Sequence, residues 1–213
     1  MAIIEAHELA FAYPGDRLLI AGLDVAVEQG QMVAICGASG CGKSTLLFML
    51  GLFLRPNAGR IIIHGRDAGL LGDDARSLLR AHEIGFVFQD ALLHPRMTLL
   101  RNVAEGALYG GASISTAERE AARLMERHGI GALADKRPTQ LSGGELQRAA
   151  LCRALVRRPS IVLADEPTGN LDPANAKAVV DALRTAAEEG AAVIVVTHNP
   201  DVAQGCERTQ YLT

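Results

Sequence analysis

The strongest chemical signal in the sequence is the nine-residue stretch GASGCGKST, which runs from Gly37 to Thr45. It fits the pattern G-x-x-x-x-G-K-[ST], directly after the apolar stretch 31–36 and before the helical pattern TLLFMLG. Glycines in such a loop let successive backbone N–H groups point inward, and the helix N-terminus adds positive potential. The spacing and its strand–helix context therefore predict a loop that binds the phosphates of a nucleotide.

Each residue of this loop has a predicted role. Lys43 would reach the β and γ phosphates, Ser44 would bind Mg²⁺, and Thr45 would add a hydroxyl near the α phosphate. The other members supply the backbone cradle, and they are Gly37, Ala38, Ser39, Gly40, Cys41 and Gly42. The alternative is a glycine-rich turn with an incidental lysine, which the full spacing and context disfavour.

Polar residues follow three predicted strands. The apolar stretch 161–164 is followed by Asp165, predicted to hold Mg²⁺ directly or through water, and by Glu166, predicted to activate an attacking water as general base. Gln89 and His198 end two other strands, and the carboxyl ends of parallel strands form a common crevice. We therefore expect Gln89 to contact Mg²⁺ and the water, and His198 to hydrogen-bond the γ phosphate.

A second motif, LSGGELQR at 141–148, begins like a helix with an unusual first turn. Ser142 fits an N-cap and Glu145 completes a capping box, but Gly143 and Gly144 remain unexplained because glycine costs about 1 kcal/mol against alanine in a helix. Because glycine has no side chain, the backbone N–H groups of these two residues would be open to an anion, which predicts a second phosphate-binding helix terminus. Since one nucleotide needs one cradle, we expect this one to serve a nucleotide held by another copy in a two-fold dimer.

The periodicity around these motifs predicts an α/β fold with a mostly parallel sheet, an N-terminal antiparallel β subdomain and an inserted helical subdomain. Strands are expected at 31–36, 83–88, 160–165 and 191–196, with 2–13 and 59–65 forming the antiparallel side sheet. The strand signal disappears in the middle of the chain. We expect one domain over 1–213, with a catalytic core at about 1–90 and 156–213 and a helical subdomain at about 91–155.

Two helices have predicted ends. The stretch ISTAEREAARLMERHG contains a capping box of Ser115 with Glu118 and terminates at Gly129. A final helix is expected after Asp172, with Pro173 at its first position.

The order of the motifs resembles that of the ATP-binding subunits of ABC transporters, from about Ile3 to His198. The resemblance is carried by Tyr13, the loop 37–45, Gln89, LSGGE at 141–145 followed by QR, IVLADE at 161–166, GNLD at 169–172 and His198. Within that family, GFVFQ, LSGGELQRAALCRAL and LADEPTGNLD are similar to the lipoprotein-releasing, macrolide-exporting and cell-division subgroup. The ATP-binding subunits of amino-acid importers contain similar motifs, so an importer subunit is the alternative.

The resemblance implies an ATPase that binds ATP and Mg²⁺ and dimerises around two nucleotides to drive a separate membrane permease, most simply for export. It implies that Tyr13 stacks on adenine, where the alternative is a core aromatic at a strand edge. Asp172 would cross to the other subunit's phosphate loop, besides capping its helix. The 90–103 region would receive the permease. The subunit would lie in the cytoplasm, peripheral on the inner face of the cell membrane through that permease.

The amino-acid composition limits the classes of partner and function that remain. The net charge is −3, aromatic residues make up 4 % of the chain and tryptophan is absent. This composition lacks the excess of basic and aromatic residues that is typical of nucleic-acid-binding proteins, so no nucleic acid is expected as a partner. The four cysteines lack metal-binding spacing. Two rival functions share parts of the site. A non-transport ABC ATPase would share every catalytic motif, whereas a monomeric P-loop NTPase would have no use for LSGGE.

Overall fold

The computed structural model describes residues 2–15 and 17–212. Strands there are β1 (Ala2–Phe11), β2 (Ile20–Glu28), β3 (Met32–Cys36), β4 (Ala58–Ile63), β5 (Arg66–Asp67), β6 (Ile84–Val87), β7 (Ile161–Asp165), β8 (Ala192–Val196) and β9 (Arg208–Tyr211). The α-helices are α1 (Lys43–Leu50), α2 (Asp73–Glu83), α3 (Leu99–Leu108), α4 (Ile114–Arg127), α5 (Gly143–Leu155), α6 (Pro173–Glu188) and α7 (Pro200–Gln204). None of them, within this part of the chain, has the length and apolarity needed to cross a membrane.

The larger sheet has the order β6-β7-β8-β3-β9, and all its neighbouring strands run parallel. Every residue of β3, β7 and β8 is buried, as expected of parallel strands covered on both faces. The four strands predicted for this sheet are all present. Their carboxyl ends therefore meet at one edge, where a ligand crevice is expected.

The smaller sheet has the order β2-β1-β4-β5 and is antiparallel throughout. The predicted pairing of the first strand with the 59–65 stretch is confirmed, because Ile4 lies opposite Ile63. Strand β2 was not predicted, although Val25 and Val27 alternate with exposed neighbours and are buried. That alternation is the signal that could have identified it.

Three apolar clusters hold these layers together. One lies between the two sheets around α1, and a second lies between the parallel sheet and α6. The third joins α3, α4 and α5, with Leu99, Met125 and Ile130 fully buried at its centre. Residues 91–155, all within the described part, contain no strand, as predicted. Burial raises the pKa of Cys152, in this third cluster, to about 12, which keeps the thiol protonated.

The start of α4 corrects one prediction. Ser113 is its N-cap and accepts a hydrogen bond from the Thr116 N–H at 3.3 Å, so the predicted capping box of Ser115 with Glu118 is wrong. The helix begins earlier because Ser113 already supplies a capping hydroxyl, which leaves Ser115 inside the first turn. Its predicted end is confirmed, since Gly129 follows Arg127 closely and has a left-handed φ of 69°.

Candidate functional site

The phosphate loop joins β3 to α1 at the carboxyl edge of the parallel sheet, where it borders a cavity of about 350 Å³. The lining residues are Leu19, Ser39, Gly40, Gly42, Lys43, Ser44, Thr45, Gln89, Asp165, Glu166 and His198. Four separate segments of the predicted site thus meet in one place. Leu19 is the only member of this lining, within the described residues, that no motif indicated.

The glycines of the loop serve two different purposes. Gly40 and Gly42 have left-handed φ angles of 82° and 97°, which let the chain curl into the start of α1. Gly37 is needed for space, because a Cβ there would lie 2.7 Å from both the Cys41 Sγ and the Leu212 carbonyl oxygen. The sequence argument, which assigned backbone freedom to all three, is therefore corrected at Gly37.

Lys43 is the buried cation of the loop. Its ammonium donates hydrogen bonds to the carbonyl oxygens of Gly37 at 2.9 Å and Ala38 at 2.8 Å. Those two contacts hold the charge inside the curl of the loop, at the N-terminus of α1. Positive charge and helix dipole therefore act on the same small volume, which suits a phosphate group.

Asp165 ends β7 inside the same cavity and has the features of a cation ligand. Its Oδ1 is buried and has no hydrogen-bond partner within residues 2–15 and 17–212. Burial raises the pKa of Asp165, and a hydrogen bond with the Ser44 side chain acts against that rise. An orphaned carboxylate oxygen beside a hydroxyl is a hard-oxygen set that fits Mg²⁺, which takes one or two carboxylates and completes its shell with water and phosphate.

Glu166 and His198 form a direct pair. The Glu166 Oε1 lies 2.7 Å from the His198 Nδ1, and the His198 backbone N–H donates to the Glu166 Oε2 at 3.3 Å. Glu166 also has a positive φ of 42°, an uncommon conformation that turns the side chain sharply at the strand end. The sequence placed both residues at the reacting phosphate but did not predict that they contact each other.

Gln89 follows β6 and lines the cavity, as its position at a strand end indicated. The preceding residue, Phe88, accepts a hydrogen bond through its carbonyl oxygen from the Gln147 Nε2 at 3.1 Å. Gln147 belongs to the LSGGELQR stretch and is buried, so this bond connects α5 with the segment that carries Gln89. Gln147 was not predicted as a site residue, although it lies within a motif.

Tyr13 lies at the other end of the phosphate loop. Its hydroxyl is 3.2 Å from the Thr45 Oγ1, and its ring packs edge-on against Phe11 at a centroid distance of 4.9 Å. The residue is 41 % exposed, so it is not the core aromatic that was considered as an alternative. Its ring is available to stack on a planar group beside the loop.

The second predicted cradle lies outside this cavity. Ser142 caps α5 and forms the predicted capping box, with the Ser142 N–H donating to the Glu145 Oε2 at 2.8 Å. Among the described residues that line the cavity there is none from 142–145, nor Asp172. Asp172 caps α6 instead, accepting from the Asn175 N–H at 3.0 Å.

The two glycines of the second cradle differ. Gly143 is exposed, and a Cβ there would meet nothing within 4 Å, so the space around this residue is open within its own copy. Gly144 is buried, and a Cβ there would lie 2.3 Å from the Asn175 Cγ. The sequence argument assigned both glycines to anion access, and the structure corrects this for Gly144, whose missing side chain makes room for Asn175.

The chain is similar to known proteins. Residues 20–169 match the family model described as ABC transporter. The lipoprotein-releasing system ATP-binding protein LolD 1 of Rhodospirillum rubrum is 45 % identical over 191 residues, which are 89 % of this chain and 84 % of that protein. The macrolide export ATP-binding/permease protein MacB of Syntrophobacter fumaroxidans is 41 % identical over 98 % of this chain, but over only 30 % of its own length.

A solved structure is similar over nearly the whole fold. The dimeric post-hydrolysis state of the ATP-binding cassette MJ0796, bound to ADP and Pi, superimposes with a TM-score of 0.90 at 32 % identity. The match covers 99 % of this chain and 94 % of that one.

Proposed function

Because the chain belongs to the ABC transporter family, we propose that two copies close around two ATP molecules, each with Mg²⁺, and drive a separate membrane permease that exports or extracts its substrate. The chain is the ATP-binding and ATP-hydrolysing subunit. The observation that carries the two-copy arrangement is the separation of the two cradles, since Lys43 and Glu166 line one cavity while Gly143 lies open outside it.

Binding begins with the phosphate loop. Its inward backbone N–H groups and Lys43 hold the β and γ phosphates, and Tyr13 stacks on the adenine. Lys43 then exchanges its carbonyl contacts within the loop for phosphate oxygens, which carry full negative charge. Ser44, Asp165 and Gln89 would hold Mg²⁺, which would supply positive charge against the phosphates.

Hydrolysis uses the pair at the carboxyl ends of β7 and β8. Glu166 accepts a proton from the water that attacks the γ phosphorus, while His198 orients the carboxylate. His198 also lines the cavity and would hydrogen-bond an oxygen of the γ phosphate. Most of the rate enhancement comes from position and charge, because phosphoryl transfer needs little covalent chemistry from the protein.

The second cradle completes the site from the other copy. The amide of Gly143 and the Ser142 hydroxyl would meet the γ phosphate held by the partner, and Asp172 would meet the partner's phosphate loop. The division into a core, about 1–90 and 156–213, and a helical subdomain, about 91–155, fits this function, because the helical part carries Ser142 on its own apolar cluster.

We further propose that the permease docks in a groove of about 1250 Å³ bordered by α2, α3 and residues 92–94, which are the part of the predicted 90–103 region that lines it. Phe53, Phe86 and Phe88 form its aromatic wall. An apolar segment of the permease would cover this wall.

Leu78, an exposed residue of the groove, provides the test of this docking. We expect Leu78→Asp to abolish co-purification of a polytopic membrane protein from mild detergent, because a desolvated charge would face the apolar segment. The matched control is Leu70→Asp, since Leu70 is also exposed but lies outside the groove lining. The docking proposal is wrong if both variants retain the membrane protein equally.

The bait for that experiment is the Glu166→Gln variant, tagged in its native cell, with ATP present during solubilisation. A polytopic membrane protein identified by mass spectrometry supports the transporter function, and its type narrows the substrate. A soluble partner alone would contradict the proposed permease and leave the ATP chemistry unchanged.

Stacking on Tyr13 predicts a modest effect. We expect Tyr13→Ala to weaken ATP binding about 2- to 10-fold, which corresponds to a stacking contribution of ~0.5–1.5 kcal/mol. Tyr13→Phe keeps the ring and loses only the hydroxyl contact with Thr45, so it should bind nearly as well as the unmodified protein. Calorimetric titration with ATP distinguishes the two, and equal affinity for the alanine variant and the unmodified protein would remove Tyr13 from the site.

A further inference from the structure

Asn175 lies in the first turn of α6, between the second cradle and Asp172. Both the oxygen and the nitrogen of its side-chain amide form hydrogen bonds. Its Oδ1 accepts a hydrogen bond from the Arg148 Nη1 at 2.8 Å. Its Nδ2 donates to the Asp172 Oδ2 at 2.5 Å. One side chain therefore joins α5, which carries the second cradle, to the residue that caps α6.

An amide suits this connection because it offers an acceptor to one charged neighbour and a donor to the other. The Arg148 guanidinium has donors alone, and the ionised Asp172 carboxylate has acceptors alone. A carboxylate at position 175 would accept from Arg148 but oppose Asp172, whereas an aliphatic side chain would bond neither. Hydrogen bonds from the Asn175 backbone and side chain lower the pKa of Asp172, which keeps that carboxylate ionised at neutral pH.

Packing around the amide is equally specific. Gly144 lies so close that a Cβ would overlap the Asn175 side chain, at 2.3 Å from Cγ and 2.5 Å from Oδ1. The Arg148 Nε is buried and has no hydrogen-bond partner within the described residues, so this atom of the guanidinium is desolvated. Asn175 thus fills the gap that Gly144 leaves and accepts the bond from Arg148.

We propose that Asn175 is a positioning residue that holds the second cradle and Asp172 in one fixed relation, so that both meet the partner copy's nucleotide together. The inference rests on the proposed two-copy function. The second cradle belongs to α5 and Asp172 to α6. A displacement of about 1 Å between them would lower the rate of a reaction that needs both by as much as about a hundredfold.

The test separates nucleotide binding by one copy from association of two copies. In the Glu166→Gln background, Asn175→Leu and Asn175→Asp are compared for ATP affinity by calorimetry at low protein concentration. ATP-dependent dimerisation is then measured by sedimentation velocity. We expect ATP affinity of the monomer to stay within twofold, because the amide does not line the phosphate cavity. We expect the dimer dissociation constant to rise about tenfold or more.

Asn175→Asp guards against a folding artefact, because it keeps the volume and the Arg148 bond, and replaces the donor to Asp172 by a carboxylate that repels it. Lys177→Leu is the matched control on the exposed side of the same helix, where Lys177 pairs only with Asp181 among the described residues. Dimerisation of both Asn175 variants at the parent's concentration would overturn the inference, as would an equal loss of ATP affinity. Failure of the Glu166→Gln parent itself to dimerise with ATP would instead overturn the proposed function, and the inference with it.

Discussion

Replacing Glu166 by glutamine should lower the rate of ATP hydrolysis by about 10²- to 10⁴-fold and leave ATP binding intact. Glutamine has nearly the same shape, and its amide oxygen can still accept the hydrogen bond from the His198 N–H. It cannot take a proton from water, however, so the general base is lost. Because hydrolysis would reopen the proposed dimer, the variant should accumulate as an ATP-bound dimer and remain monomeric with ADP.

Phosphate release at saturating ATP measures the rate, and calorimetry measures the affinity. Glu188→Gln, near the exposed end of α6, is the matched control and should hydrolyse ATP at the unmodified rate. A Glu166→Gln variant that retains more than a tenth of the activity would show that another group acts as the base. Equal losses of binding and hydrolysis would assign Glu166 to nucleotide binding instead.

Replacing Gly143 by aspartate should abolish ATP-dependent dimerisation and lower hydrolysis by about a hundredfold or more, without weakening ATP binding to the monomer. A side chain at this position meets nothing within 4 Å in its own copy, and an acidic residue in the first turn of a helix is favourable. The fold therefore keeps its stability. The new carboxylate instead occupies the place where the partner's γ phosphate would lie, and like charges repel.

The comparison for Gly143→Asp is Gly72→Asp, at the N-terminus of α2. That glycine also has open space for a side chain, and it lies outside both the cavity and the groove. Sedimentation velocity in the Glu166→Gln background, together with steady-state hydrolysis, measures both effects. If Gly143→Asp dimerised and hydrolysed like Gly72→Asp, the second cradle would have no part in the reaction.

Residues whose positions depend on local spacing were predicted well from the sequence. The loop 37–45, Asp165 and Glu166 are positioned by a buried strand and the turn that follows it, so neighbouring residues already determine their geometry. Asp172 and Ser142 were predicted as N-caps for the same reason, since capping involves only three or four consecutive residues.

Contacts between distant segments were the part that could not be predicted. Asn175 and Gly144 are 31 residues apart, and only the packing of α5 on α6 shows that the glycine makes room for the amide. The pair of Glu166 with His198 likewise depends on the order of strands β7 and β8. The cap of α4 was misplaced for a smaller reason, because Ser113 and Ser115 are equally good capping residues by type.

The measurement that tests the shared site most directly mixes two inactive variants, Lys43→Ala and Gly143→Asp. In a mixed dimer, one site receives both defects, and the other combines an intact phosphate loop with an intact second cradle. Neither variant is expected to dimerise with itself around ATP, so mixed dimers should be the main dimers, and each keeps one complete site of two. Hydrolysis should therefore recover to at most about half of the unmodified rate. Activity that stays at the average of the two separate variants would contradict a site shared between two copies.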